Sequence, residues 1–263
     1  MRVTCFASGS SGNCALLSAG GSHILLDAGI SFRRIRENLA LSGLAPEALS
    51  AILITHEHSD HIGGLASLVK RCEIPVCAPR TVAGHLHRTV AGVEKCLRVL
   101  PEETVEMDSF RLRWFHTPHD TEESVGWRIE SDEGCFALAT DMGCVTEEIR
   151  AGLSGADVVL IEANHDEEML RCGPYPAALK RRILSDHGHL SNEACGALAA
   201  YLADRGTKQI ILGHLSRENN PPEQAFRAVK AALGDRDTGL FVAPPAERLT
   251  LEYEKERPCL VSP

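Results

Sequence analysis

The segment Thr-His-Glu-His-Ser-Asp-His, residues 55–61, is the most informative stretch of the sequence. It follows an apolar run typical of a buried strand, and its imidazoles and carboxylate are ligands that suit Zn²⁺, Mn²⁺ or Fe²⁺. In an extended segment His56 and His58 point to the same side, where they can share one ion. A helix that begins near Asp60 would turn that residue and His61 toward a second ion. The alternative is a solvated loop that is rich in histidine by chance, and the buried strand before it argues against that alternative.

Strand and helix patterns extend along the chain on both sides of this segment. Apolar stretches predict strands over residues 2–7, 14–18, 23–27, 51–55, 75–78, 104–107, 110–116, 125–130, 135–140, 157–163, 209–213 and 248–253. Helical spacing predicts helices over residues 31–41, 62–69, 80–90, 147–153, 176–184, 192–205 and 222–233. Gly63 and Gly64 would permit a close backbone approach beside the histidines. Because runs of strands are mixed with strand–helix alternation and no linker interrupts them, we predict a single α/β domain over residues 1–263, with more than one sheet.

Composition and charge exclude some classes of protein. The net charge of −9 argues against a basic surface for binding long duplex DNA, although a metal site would bring its own positive charge to a nucleic-acid substrate. No apolar run approaches the roughly 18 residues of a membrane span. The beginning of the chain lacks the pattern of a signal peptide, so we expect a cytoplasmic protein. The ten cysteines are scattered without Cys-x-x-Cys spacing, which favours reduced, buried thiols.

The histidine segment matches the His-x-His-x-Asp-His motif and therefore resembles the metallo-β-lactamase superfamily. That resemblance implies an αββα sandwich, in which two mixed β-sheets lie face to face and helices flank them. It also implies that Asp27, which closes an early strand, braces the metal loop. The ligands implied for the first ion are His56, His58 and His119, and those for the second are Asp60, His61 and His214, with Asp141 between the ions.

Later segments resemble the RNase Z nucleases of the same superfamily. Residues 160–164, Leu-Ile-Glu-Ala-Asn, share a Glu-Ala pair with the His-Glu-Ala-Thr segment of those enzymes. Gly-His-Leu-Ser occurs at residues 188–191 and again at residues 213–216. The resemblance implies that Glu162 and His189 pair beside the metals, because a charged imidazole can protonate the alkoxide that a phosphodiester expels. His187 is the rival to His189, while His165 is near these residues in sequence only.

Taken together, the motifs between residues 8 and 220 are most similar to the YycJ/WalJ branch of small bacterial proteins. This resemblance implies an exonuclease that degrades DNA, as a single strand or at a duplex end, from the 5′ end. A hydroxide activated by two divalent ions, zinc or manganese with iron as an option, would attack phosphorus, and Asp60 would orient it. The candidate phosphate contacts are Ser11, Asn13, Ser216 and Asn219. A plain role in turns and helix caps is the alternative for each of them.

Two other functions remain open at this stage. A thioesterase or lactonase acting on a small acyl substrate needs the same metals but no partner for an alkoxide leaving group. A binding module that has lost catalysis is the third hypothesis, and the intact set of ligands argues against it. The sequence does not determine the metal, the preferred end of the DNA, the oligomeric state or any partner protein.

Overall fold

The computed structural model describes residues 1–255, and the last eight residues of the predicted domain, with Cys259, lie outside that range. Within it, one mixed sheet has seven strands in the order β14-β1-β2-β3-β4-β5-β6. Neighbouring strands from β14 to β3 are antiparallel, and those from β3 to β6 are parallel. These strands are β1 Arg2–Ala7, β2 Cys14–Ala19, β3 Ser22–Leu26, β4 Ala51–Leu53, β5 Val76–Ala78, β6 Leu97–Val99 and β14 Leu249–Glu252.

A second mixed sheet of the described residues has seven strands in the order β13-β12-β11-β10-β9-β8-β7. The strands from β7 to β10 are antiparallel, and those from β10 to β13 are parallel. They are β7 Val105–Met107, β8 Phe110–His116, β9 Val125–Ser131, β10 Gly134–Ala139, β11 Val158–Glu162, β12 Gln209–Gly213 and β13 Gly239–Val242. In β8 buried and exposed residues largely alternate, as expected for a strand that covers a core with one face.

Three apolar clusters hold the layers together. The central cluster lies between the sheets and includes Leu17, Trp127 and Phe136. A second cluster packs helices between residues 32 and 89 on the outer face of the first sheet, and a third packs helices between residues 147 and 233 on the outer face of the second. The predicted αββα sandwich is therefore confirmed. The helices in the described range are α1 Phe32–Leu41, α2 Ser59–Ile62, α3 Leu65–Val69, α4 Arg80–Thr89, α5 Glu147–Leu153, α6 Glu167–Cys172, α7 Ala177–Ile183, α8 Asn192–Ala203 and α9 Pro222–Leu233.

Four features differ from the sequence prediction: one predicted helix is broken, and two strands and one helix were not predicted. The single helix expected over residues 62–69 is broken into α2 and α3, because Gly64 donates its N–H to the Ala28 carbonyl at 2.7 Å. A Cβ at Gly64 would lie 2.0 Å from the Ile30 carbonyl oxygen, so the predicted close approach at the glycines is confirmed. Strands β6 and β13 and helix α6 were not predicted, since three to six residues are too few to show a periodic pattern.

The described cysteines are unpaired and mostly buried, with Cys144 partly exposed and Cys172 exposed. No helix within residues 1–255 combines the length and the apolar composition needed to cross a membrane.

The sandwich places the predicted site at one edge. Strands β3, β4, β10, β11 and β12 belong to the parallel parts of the two sheets, so within each sheet their carboxyl ends meet at the same edge. The ends of those strands and the loops after them carry most of the predicted histidines and acids, whereas His119 follows β8 and His189 lies in the connection before residue 192.

Candidate metal centre

Three imidazoles converge beyond the ends of β4 and β8. His56 and His58 follow β4, His119 follows β8, and one ring nitrogen of each lies within 4.8 Å of the others. His119 Nδ1 donates to the Gly188 carbonyl at 3.1 Å, which leaves its Nε2 facing His58 Nδ1 at 3.3 Å. The structure thus brings together the three residues that were predicted to hold the first ion.

A second group forms next to the first. His58 is extended and precedes α2, whose first turn carries Asp60 and His61 toward the end of β12. There Asp60 Oδ2 lies 3.4 Å from His214 Nε2 and 3.6 Å from His61 Nε2. Asp141, after β10, contacts both groups, since its carboxylate oxygens lie 3.2 Å from His61 Nε2 and 3.6 Å from His119 Nε2. The structure therefore brings all seven predicted ligands together in two neighbouring groups, and their binding of metal stays a prediction.

The donor atoms fit divalent cations. His56 Nε2 and Asp141 Oδ2 are buried and make no hydrogen bond within the described chain, although Asp141 Oδ2 lies 3.2 Å from the ring nitrogen Nε2 of His61. An unpaired buried carboxylate oxygen or imidazole nitrogen is costly, so such atoms call for a ligand. Imidazole and carboxylate donors with no thiolate among them suit zinc, manganese or iron.

A buried carboxylate braces the second group from behind. Asp27 Oδ2 accepts from His61 Nδ1 at 2.7 Å, and Asp27 Oδ1 accepts from the backbone and hydroxyl of Thr55. The hydrogen bond between Asp27 and His61 is a direct contact of the kind that the implied bracing role requires. Burial lowers the pKa of His61, but the charges of Asp141 and Asp27 outweigh burial and raise that pKa to about 10. The two acids thus favour positive charge at His61, and a divalent cation bound there would supply that charge in place of the proton.

The backbone is strained at the same place. Within residues 1–255, four residues other than glycine have a positive φ, and three of them belong to the site: Asp27 (56°), Asp141 (58°) and His214 (55°). Such conformations are uncommon for residues with a Cβ and persist where the surroundings enforce them. At His214, the backbone N–H donates to Ser8 Oγ at 2.9 Å, and the carbonyl accepts from Asn164 Nδ2 at 2.9 Å.

Glu162 and His189, the pair implied by the nuclease resemblance, are in contact. His189 Nδ1 donates to Glu162 Oε1 at 2.7 Å, and His214 Nδ1 donates to the same oxygen at 3.0 Å. Burial alone would lower the pKa of His189, but the charge of Glu162 and the hydrogen bond to it raise that pKa above its usual value. Glu162 is fully buried, whereas the side chain of His189 keeps 20% of its surface exposed. The rival His187 is exposed on the surface.

The four predicted phosphate contacts have different surroundings. Asn13 is buried, and its Nδ2 lies 3.0 Å from His61 Nε2 and 3.3 Å from Asp60 Oδ2, so its amide faces the second group.

Ser216 and Asn219 are buried, and Ser216 Oγ accepts from the backbone of Asn219. Ser11 is exposed and accepts from Arg217 Nη2 at 2.6 Å. The turn-and-cap alternative thus has direct contacts at Ser216 and Asn219, and substrate binding stays a prediction for all four.

Comparison with known proteins places this site in a family. The model of the β-lactamase superfamily domain matches residues 22–215. The exodeoxyribonuclease WalJ of Streptococcus pneumoniae serotype 2 is 39% identical over 246 residues, covering 92% of this chain and 91% of the relative. The exodeoxyribonuclease YycJ of Bacillus anthracis is 33% identical, covering 91% and 92%. This chain belongs to the metallo-β-lactamase superfamily, in the branch of WalJ and YycJ.

Solved structures of the superfamily share the fold. The metallo-β-lactamase fold protein YhfI of Bacillus subtilis superimposes with a TM-score of 0.73 at 15% identity, covering 95% of this chain and 99% of that one. At this identity the likeness shows the architecture alone.

Several residues of this superfamily site escaped sequence reasoning. Asp120 Oδ1 lies 3.1 Å from His119 Nε2, although Asp120 stands directly after a predicted ligand. Asn164 is a departure from the nuclease pattern, yet it supports the His214 loop. Ser8 supports the same loop from a position more than 200 residues away in sequence. The sequence analysis gave His165 no role, because it is near the site residues in sequence only. Its side chain is buried, and neither ring nitrogen makes a hydrogen bond within the described chain.

Proposed function

We propose that this chain is a metal-dependent phosphodiesterase, a 5′-to-3′ DNA exonuclease. The contact between Glu162 and His189 beside the donor groups carries the proposal. A phosphodiester expels a poor leaving group, and a charged imidazole held next to the reaction centre can protonate it. The relatives named exodeoxyribonuclease, which align over nine-tenths of the chain, support the same substrate class.

We propose two divalent cations for the centre, zinc or manganese, with iron as a further option. His56, His58 and His119 would hold one ion, Asp60, His61 and His214 would hold the other, and Asp141 would contact both. When bound, the ions would supply Lewis acidity toward the phosphodiester and lower the pKa of a water molecule.

The protein's own groups have separate tasks in this proposal. Asp60 accepts a hydrogen bond from the attacking water and so orients it toward phosphorus, and the proton that the water loses passes to solvent. Glu162 binds Nδ1 of His189 and holds the ring charged, with Nε2 free to donate. As the bond between phosphorus and the 3′ oxygen breaks, the proton on Nε2 passes to that oxygen. The products are a released 5′-terminal nucleotide and a shortened strand with a new 5′ phosphate.

The test is hydrolysis of 3′-labelled single-stranded and duplex DNA in the presence of Mn²⁺ or Zn²⁺. We expect stepwise shortening from the 5′ end, and we expect His189→Ala to lower the rate by about 10² to 10⁴, the usual contribution of a general acid. His187→Ala is the matched control, because that histidine is two residues away and exposed. Metal content should be unchanged in both variants.

A different set of results would contradict the proposal. If neither metal supports cleavage of DNA while a thioester or lactone is hydrolysed, the chain is an acyl hydrolase with the same metal centre. If His187→Ala is the damaging substitution, Glu162 and His189 do not form the acid.

A further inference from the structure

A strand of nucleic acid has to reach a centre that is rich in acids. Asp60, Asp141 and Glu162 all lie in or beside the donor groups, and the whole chain carries a net charge of −9. Binding of nucleic acid depends on cations that contact phosphates. Two exposed arginines, Arg182 and Arg217, bond to residues at the edges of the two donor groups, and neither has a part in the proposed chemistry.

Arg182 borders the first group. It lies near the end of α7, and its guanidinium pairs with Asp120. Asp120 Oδ1 lies 3.1 Å from His119 Nε2 and 4.0 Å from His58 Nε2. A single carboxylate therefore separates the guanidinium from the imidazoles of the first group. The side chain of Arg182 is 57% exposed, which leaves N–H donors of its fork open to a ligand from solvent.

Arg217 borders the second group. It lies three residues after His214, and its Nη2 donates to the hydroxyl of Ser11 at 2.6 Å. Ser11 belongs to the loop of residues 8–13, whose Ser8 accepts from the backbone of His214. Within residues 1–255 no carboxylate pairs with Arg217, so its charge is uncompensated.

The chemistry of these two side chains suits a phosphate. A guanidinium offers paired N–H donors in a planar fork that matches phosphate oxygens. Ser11 adds a hydroxyl next to one of them, and the existing contact between the two already orients the arginine. Because one arginine borders each donor group, the two stand at different edges of the centre rather than in one cluster.

We infer that Arg182 and Arg217 contact backbone phosphates of the nucleic acid on the two sides of the bond that is cut. The inference rests on the proposed function and adds to it a binding surface, the arginine rim, made of Arg182, Arg217 and Ser11. When the strand binds, Arg217 and Ser11 both contact one phosphate. Arg182 keeps part of its contact with Asp120 and donates its other N–H groups to a second phosphate.

The experiment measures binding rather than cleavage. The metal-loaded protein is titrated against a fluorescent single-stranded oligonucleotide whose phosphorothioate linkages resist hydrolysis, and anisotropy is read at several salt concentrations. We expect Arg182→Gln and Arg217→Gln each to weaken binding about tenfold, the loss of one charge-assisted hydrogen bond. Each should also lower the slope of log affinity against log salt by about 0.7, the value for one phosphate of a single strand.

Arg205→Gln is the matched control, because that arginine is exposed just beyond the C-terminal end of α8 and stacks on Tyr201. It should bind as the wild type does. Arg182→Lys and Arg217→Lys should recover part of the lost affinity. Metal content and thermal midpoint are measured for each variant, so that loss of the centre or of the fold is recognised.

The outcomes separate this inference from the proposed function. If the wild type degrades DNA and both glutamine variants bind as tightly as Arg205→Gln does, the inference about the arginine rim is wrong, and the proposed exonuclease function is unaffected. If only one variant weakens binding, the two-sided placement is wrong. If the wild type neither binds nor degrades DNA, the proposed function is wrong, and the inference about the arginine rim is wrong as well.

Discussion

At the scale of single residues, two buried carboxylates orient the imidazoles of the candidate centre. Asp27 binds Nδ1 of His61, and Glu162 binds Nδ1 of both His214 and His189. Each contact turns the other ring nitrogen toward the centre. A partner behind a ligand fixes its tautomer and its direction, which is why such partners matter nearly as much as the ligands.

The substitution Asp27→Ala should therefore be severe. It leaves the Thr55 N–H and the His61 Nδ1–H without their buried acceptor, and it places alanine at a φ of 56°. We expect a loss of about 3 kcal/mol in the free energy of unfolding of the metal-free protein, measured with denaturant. Asp27→Asn should lose less, because asparagine tolerates this backbone conformation and keeps an acceptor oxygen.

Asp108→Ala is the control for backbone strain alone. Asp108 also has a positive φ, 49°, but it is exposed and lies outside the site. Equal losses in Asp108→Ala and Asp27→Ala would show that the contacts of Asp27 add nothing to stability.

At the scale of elements, short helix α6 links the site-bearing strand β11 to the rest of the second layer. Asp166 caps α6 by accepting from the backbone N–H of Met169 at 2.9 Å, and it also accepts from the side-chain amide of Gln224 at the start of α9. The cap residue with Glu167 and Glu168 behind it is a start signal for a helix, although the helix itself is too short for periodicity.

Replacing the cap should produce a loss that depends on pH. The bond from Met169 holds the pKa of Asp166 below its usual value, so the folded state favours the carboxylate. The cap's contribution is then complete above the unfolded pKa of about 4 and is lost as the pH falls through the folded pKa. We expect Asp166→Ala to cost about 1 kcal/mol at pH 7 and progressively less below pH 4, measured by denaturant unfolding.

Glu168→Ala is the comparison for this variant, because Glu168 is exposed in the same first turn and does not cap the helix. A constant difference between Asp166→Ala and wild type across the pH range would contradict the role of the carboxylate.

At the scale of the whole molecule, the candidate centre joins the two sheets. His56, His58, Asp60 and His61 follow a strand of the first sheet, whereas His119, Asp141 and His214 follow strands of the second. Bound ions would therefore hold the two halves of the sandwich together at one edge, while the central apolar cluster holds them along the interior.

Removing metal should lower the thermal midpoint of the entire domain. A ligand present at about 100 times its dissociation constant stabilises the folded state by about 2.7 kcal/mol. We expect one cooperative transition in scanning calorimetry, which also tests the predicted single domain, and a lower midpoint after dialysis against a chelator. Asp141→Asn should show a smaller difference between its metal-loaded and metal-free forms. A wild-type midpoint that does not change on loading, with ions shown to be bound, would contradict the joining role.

The residues themselves predicted an α/β domain with more than one sheet and the donors of residues 55–61, for a physical reason. A strand, its loop and the ligands in that loop are close in sequence, so the pattern of residues 55–61 carries both the chemistry and the local geometry. The resemblance then supplied His119, Asp141, His214 and the Glu162–His189 pair. The resemblance also implied the αββα sandwich, which the two sheets and their flanking helices confirm.

Only the tertiary structure decided which distant groups support that centre. Ser8 meets His214, Arg217 meets Ser11, and Arg182 meets Asp120 across long stretches of chain. Serine and arginine occur widely on protein surfaces, so nothing in their types marks these positions. The edge strands β6 and β13 and the helix α6 were also decided by packing, because elements this short are stabilised by their neighbours rather than by their own pattern.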